Sequence, residues 1–252
     1  MNRRTNAQQV RFVALVGMVA LLLAGATLPA RAQPTAPTRL DVDLASAAGL
    51  APDGQSVQLS VLARCPERWT VVEASVAVSQ ADASGEASFP LTCTGLYRTF
   101  SVTVQSSDAS FRLGQAEASA VVAVERGRTA RVQDSQQVRV DPIVLVALAD
   151  TALLEGAGEA VLIDVTVACP VGADGQQSSL VVSQGQTLGG GSYVPVCDGQ
   201  RHTFGVRAQA SQALFQPGGA EALTFALVDV GGEAFYGVGD RLIKIVSSAP
   251  AP

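Results

Sequence analysis

Lysine is almost missing from this chain: Lys244 is the only one in 252 residues. Histidine is as scarce, with His202 alone, and aromatic residues make up 5% of the chain, including one tryptophan, Trp69. Each shortage excludes something. A single histidine leaves little room for histidine-centred acid–base chemistry. Few aromatics mean that most are needed in the core rather than on a ligand surface. The four cysteines contain no C-x-x-C pair, which argues against a zinc centre. Strong helix signals are absent as well. Small residues (Ala, Gly, Ser, Val and Thr) fill the sequence instead.

The first 32 residues read as an address. Arg3, Arg4 and Arg11 give a basic start, and the run "FVALVGMVALLLAGATL" over 12–28 is apolar. Ala30-Arg31-Ala32 then supplies a small-x-small cleavage pattern. A membrane anchor is the alternative, but the run is broken by glycine, slightly short for a bilayer, and followed by that site. The reading predicts a signal peptide over 1–32, cleavage after Ala32, and a secreted protein, extracellular or periplasmic, with no membrane attachment afterwards. The leader takes four arginines with it. The remaining 13 basic residues face 22 acidic ones, a net charge of about −9. Nucleic acid and anionic membranes reward the opposite sign and are excluded as partners. All four cysteines lie in the exported part and are even in number, as expected of disulfides in an oxidising compartment.

Shifted by 104 residues, the chain falls on itself. Cys65 meets Cys169, Cys93 meets Cys197, Thr99-Phe100 meets Thr203-Phe204, and Ala116-Glu117-Ala118 meets Ala220-Glu221-Ala222. No gap is needed between Gly54 and Gly127. A period of this length is a whole small domain rather than a solenoid repeat. The expected organisation is a β-sandwich domain over 33–141 and a second over 142–252.

Apolar residues alternate within each copy: Val57, Leu59, Val61, Ala63 and Cys65, then Val161, Ile163, Val165, Val167 and Cys169. A period of two marks strands with one buried face. Turn-forming stretches such as "APDGQ" (51–55) and "GADGQ" (172–176) separate the runs. About seven strands are expected per copy, near 39–46, 55–65, 73–80, 87–93, 98–105, 115–125 and 129–140. The fold class is all-β, two tandem immunoglobulin-like sandwiches. Immunoglobulin domains link their second and sixth strands, whereas this spacing links the second to about the fourth. The spacing of 28 in both copies pairs Cys65 with Cys93 and Cys169 with Cys197, each bridge stabilising its domain by roughly 3–4 kcal/mol.

The pattern "DGQ…V…C…SQG…CDGQRHTFGV…F.PGGAEA" is similar to a family of small secreted bacterial domains best known from actinobacteria. The second copy carries it on Val161, Cys169, Ser183-Gln184-Gly185, Cys197-Asp198-Gly199, His202, Phe204, Phe215, Pro217-Gly218 and Ala220. The first departs with Thr94 after Cys93, Arg98 in place of His202, and Leu113 in place of Pro217. The resemblance implies an exported, disulfide-bearing β-domain and brings no activity with it.

Candidate site residues each have a plain structural account beside the functional one. His202 is the natural catalytic suspect, with Asp198 and Ser211 near it in sequence, but nothing sets these in a triad, and the first copy holds Arg98 there. Glu117 and Glu221 would serve glycoside hydrolysis only if brought close together, and as equivalent strand positions in two copies they read as solvent-facing. Ser79-Gln80 and Ser183-Gln184 fit strand-end hydrogen bonding. Arg126, Arg128, Arg131 and Arg139 form either a patch for an acidic glycan or the usual charged protection of an edge strand. Trp69, Tyr97 and the pair Phe235-Tyr236 are the candidates for stacking on sugar. Ser119, Val121 and Ala123 of copy one become Leu223, Phe225 and Leu227, a pattern expected of a strand buried on both faces and packed on the other copy or on another chain.

No cofactor or metal is implied. The function expected is a non-catalytic binding or structural module at the cell exterior, its partner an extracellular polysaccharide or protein. The alternatives are a secreted hydrolase of a cell-wall or environmental polymer, and a partner-capture protein using the loops 66–72 and 170–177, which differ most between copies.

Overall fold

A computed structural model describes residues 39–247. The expected leader, its cleavage site and the last five residues lie outside the described residues. The first run of strands is β1 (Asp41–Leu50), β2 (Ser56–Arg64), β3 (Thr70–Gln80), β4 (Ala83–Ser88), β5 (Arg98–Gln105), β6 (Gly114–Glu125) and β7 (Thr129–Pro142). The second is β8 (Leu145–Glu155), β9 (Ala160–Ala168), the short β10 (Asp174–Gly175), β11 (Ser178–Gln184), β12 (Thr187–Tyr193), β13 (Arg201–Ala210), β14 (Gly218–Val230) and β15 (Glu233–Ser247). No α-helix occurs among the described residues, and all of them belong to one compact unit.

Each run forms its own sheet. The first is ordered β4-β3-β6-β7-β1-β2-β5; the second is ordered β10-β14-β11-β12-β13-β9-β8-β15, with β15 returning to β14. The joint in both is the opening strand. β1 runs antiparallel to β2 and, over its second half, parallel to β7; β8 does the same with β9 and β15. A register shift between Leu44 and Ala48 recurs between Leu148 and Ala152, 104 residues on. Such an irregularity bends a strand, and here it accompanies the strand's turn from one neighbour to the other.

The alternating residues point inward as their period requires. Val57, Leu59, Val61 and Cys65 are buried in one core, and Val161, Ile163, Val165 and Val167 in the other. Local hydrogen bonds repeat too. The Gln80 amide donates to the carbonyls of Arg112 (2.9 Å) and Gln115 (3.0 Å) and accepts from Arg112 N–H. Gln184 holds Gln216 and Gly219 in the same way. The glutamine of the recurrent Ser-Gln pair thus has a structural task, pinning the loop before β6 or β14.

The fourth strand differs from expectation. It spans Ala83–Ser88 rather than 87–93, and residues 89–97 form an irregular connection. Phe89 still donates its N–H to Ala74 (3.0 Å), but Pro90 follows and has no N–H to continue the ladder. Cys93 therefore lies in the β4–β5 connection. Its bridge to Cys65 ties that connection to the end of β2, and Cys169–Cys197 does the same in the second sheet, with Cα separations of 4.7 and 4.8 Å. The glycines two residues after Cys93 and Cys197 have φ of +75° and +83° and donate N–H to the carbonyls of Cys65 and Cys169. That left-handed turn is what requires glycine there.

The two sheets meet end to end. Ile143 donates its N–H to Leu50 (2.9 Å) just before β8 starts. Leu113, from the β5–β6 loop, packs both on the first core and on a small cluster of Cys169, Ala173 and Val228 in the second sheet. Arg139 bridges Asp141 (2.8 Å) and Glu233 (2.7 Å) across the same junction. It is therefore occupied and does not join the basic patch expected from sequence.

Candidate functional site

The bridged end of each sheet gathers the strand ends and loops that follow the cysteines, so both sheets present the same kind of surface. Their surroundings differ. In the second sheet Leu113 lies against this end, and a side chain added at Gly199 would sit 3.1 Å from the Pro52 carbonyl. The loop 170–177 is thus partly taken up by the junction. In the first sheet no described residue from the second covers the corresponding end.

At that open end Arg64 closes β2 on the position held by Ala168 in the second sheet. Its side chain is 8% exposed, and its guanidinium carbon lies 4.4 Å above the centre of the Tyr97 ring. The contact is a cation–π pair. The Tyr97 hydroxyl donates to Asp41 (2.7 Å), which fixes the ring over the guanidinium. That hydrogen bond raises the Tyr97 pKa above its ordinary value, with Asp41's charge adding to it and Arg64 and Arg39 opposing. Arg64 Nε is buried without a hydrogen-bond partner, and so is Thr94 Oγ1 beside Cys93. Buried polar atoms are paired as a rule, and an orphan costs about 1–3 kcal/mol. Arg39, Arg68, Arg98, Arg126 and Arg128 stand exposed around the same end.

Of the residues singled out from sequence, Tyr97 belongs to this cluster and is 48% exposed. Trp69 is half-buried and packs on the first core, which leaves it mainly structural. Arg64, Asp41 and Thr94 were not singled out. The signal lay in comparing the copies, since Arg64, Tyr97 and Asp41 replace Ala168, Arg201 and Leu145.

His202 meets Asp198 at 2.8 Å, and Asp198 also accepts from Gln200 N–H. The His202 contact, then the backbone bond, hold the Asp198 carboxyl below its ordinary range. Ser211 is engaged elsewhere, with Leu188. The three do not form a triad. Glu117 and Glu221 are exposed on different sheets, as strand residues facing solvent. Glu117 does line an open trough of about 890 Å³ with Ser79, Ser84, Glu86, Ser119 and Ser135. Among the described residues no group of three or more His, Cys, Asp or Glu side chains is placed to hold a metal, and no helix is long and apolar enough to cross a membrane.

The expected double burial of β14 does not hold within the chain. Leu223 and Phe225 are 37% and 39% exposed, on the outer face of the second sheet rather than at the junction, and Leu227 is half-buried. Tyr236 lies beside them at 70% exposure, lining a shallow groove with Phe225 and Leu227. The strand's apolar neighbours satisfy the inner face alone; the outer one is left to solvent.

No protein-family model matches the chain, and no curated protein matches it. Among solved structures it is similar to a Ca2+-stabilised adhesin with which an Antarctic bacterium binds ice (14% identity, 84% of this chain and 50% of the adhesin, TM-score 0.27). It is also similar to red sea bream transglutaminase (10% identity, 83% and 31%, TM-score 0.33). A third is a structure of fibronectin(III)-like modules of Clostridium thermocellum CbhA (14% identity, 81% and 95%, TM-score 0.25). The chain thus spans half the length of the adhesin and less than a third of the transglutaminase. Likenesses at these scores carry no argument about activity.

Proposed function

We propose that this chain is an exported, non-catalytic binding module made of two tandem immunoglobulin-like domains, of the kind resembled by the small secreted bacterial family. Supporting the tandem reading, each strand of the first sheet has its counterpart 104 residues on, and each sheet carries one bridge at the same place. The two disulfides fit an oxidising compartment outside the cytoplasm. The second domain supports and orients the first, and the first presents its bridged end outward.

One observation carries the binding role. At equivalent ends of the two domains, one is taken up by the junction while the other displays an arginine whose Nε is buried without a hydrogen-bond partner, an oriented tyrosine and a ring of arginines. The single histidine has a carboxylate partner but no nucleophile, so the reading includes no chemical step. Immobilised, oxidised protein exposed to envelope and secreted fractions of the producing cell should retain a partner, and Tyr97→Ala should release it. Equal retention by Tyr97→Ala would refute the assignment of the binding end.

A further inference from the structure

The open end of the first domain differs from its covered counterpart in a consistent direction. Val230 and Phe235, which pack beside Leu113 at the junction, are replaced by Arg126 and Arg131, and Ala173 by Trp69. An end lined this way is no longer a socket for the apolar loop that fills the other. Self-association that repeats the internal junction is therefore disfavoured, because it would bury arginines against an apolar plug. Arg131 has an internal partner, Glu73 at 3.2 Å. Arg64 has none.

The second domain shows what is missing. There the base at the start of β13, His202, meets its own carboxylate, Asp198, at 2.8 Å. In the first domain Arg98 stands at the histidine's position and Thr94 at the aspartate's, so a basic residue is kept there and the carboxylate that faced it is replaced by a hydroxyl. Thr94 Oγ1 and Arg64 Nε are left buried and unpaired. Asp41, which sits opposite Arg64 in the β1–β2 register, accepts from the Tyr97 hydroxyl. Guanidinium groups match carboxylates in charge and in donor geometry. One face of Tyr97 carries Arg64, and the ring is still 48% exposed. A ligand that offers a carboxylate next to a ring with an apolar face of C–H groups uses both features; an acidic peptide side chain offers only the first.

We propose that this end binds an acidic polysaccharide, the carboxylate of a uronic acid unit pairing with Arg64 and its sugar ring stacking on Tyr97. The exposed arginines around it engage neighbouring units, so affinity falls as salt rises. The inference rests on the binding reading above and narrows its ligand.

The test is isothermal calorimetry of the oxidised protein with polygalacturonate, with neutral dextran and poly-L-glutamate for comparison. Polygalacturonate should bind, dextran should not, and poly-L-glutamate should bind at least tenfold more weakly. Loss of a charge-assisted contact weakens binding by about tenfold or more. Arg64→Ala should show that loss, and the scaffold tolerates alanine there because Ala168 occupies the equivalent position. Arg126→Gln with Arg128→Gln, both on the exposed turn before β7, should weaken binding without touching the core, whereas Arg207→Gln in the second domain should leave it unchanged. No binding of polygalacturonate, equal binding of poly-L-glutamate, or indifference to Arg64→Ala and the Arg126/Arg128 pair would each overturn the proposal. A Tyr97-dependent partner recovered from the cell fractions in that event would leave the broader binding function standing.

Discussion

Leu113 is the residue through which the two sheets hold each other, and its replacement by serine tests that directly. The side chain is half-buried, with one side on the first core and the other on Cys169, Ala173 and Val228. Burying a whole leucine is worth about 1.5–3 kcal/mol. For a half-buried one the expected loss is about 1–2 kcal/mol, and the small cluster it plugs would be opened to water as well. The Arg139–Glu233 pair crosses the same junction at 2.7 Å, but both side chains are about half exposed, and such a pair contributes under about 1 kcal/mol. Leu113→Ser should therefore lower the melting temperature by roughly 2–8 °C in a chain of this size and broaden the distances between the two sheets seen by small-angle scattering. Arg139→Ala should do less on both counts. If Leu113→Ser leaves scattering and melting unchanged, or Arg139→Ala has the larger effect, the junction is not held by apolar packing and the reasoning fails.

Four further outcomes are expected. Thr224 is fully buried; its hydroxyl donates to the Ser179 carbonyl and meets the Tyr193 hydroxyl at 2.9 Å. Thr224→Val should cost about 1–3 kcal/mol in urea unfolding by orphaning Tyr193, and adding Tyr193→Phe should cost less than the two single changes summed; strict additivity would show no coupling. Replacing Cys65 and Cys93 by alanine should remove about 3–4 kcal/mol, the loop-closure value for a 28-residue separation, read as a lower unfolding midpoint under oxidising conditions. Leu223→Ser should cost about 1 kcal/mol, because the residue is only 37% exposed and plugs no second core; a loss above about 2 kcal/mol in the dilute protein would mean that the face is covered. Asp198, with its pKa lowered in the fold, stabilises the folded state above the ordinary carboxylate range and loses that contribution as pH falls through the lowered value. Its carboxyl resonance should titrate below that range and move back up in His202→Ala.

The open end of the first sheet also accounts for where the two halves of the chain differ. Core positions such as Val57 and Val161, or Phe111 and Phe215, are buried in both copies and keep apolar residues. At the bridged ends the demands separate, since one faces a packed neighbour and the other faces solvent. Val230 and Phe235 suit the first situation; Arg126 and Arg131 suit the second.

Strand periodicity, the offset of 104 and the equal cysteine spacing are local or self-referential patterns, and they were readable along the chain because side chains of period two must face one core. Pro90 is also a local signal, and attention to it would have placed β4 correctly. What only the tertiary structure decided is which of two equivalent surfaces is covered. Leu113 looked like an ordinary substitution for Pro217, and Leu223 and Phe225 like a buried contact. Their roles depend on how the strands curl and on what the end of one sheet meets, and neither is written in the spacing of residues along a single strand. Burial of a guanidinium against a ring 33 residues away is a contact between chain segments, so only the assembled fold could bring the two together.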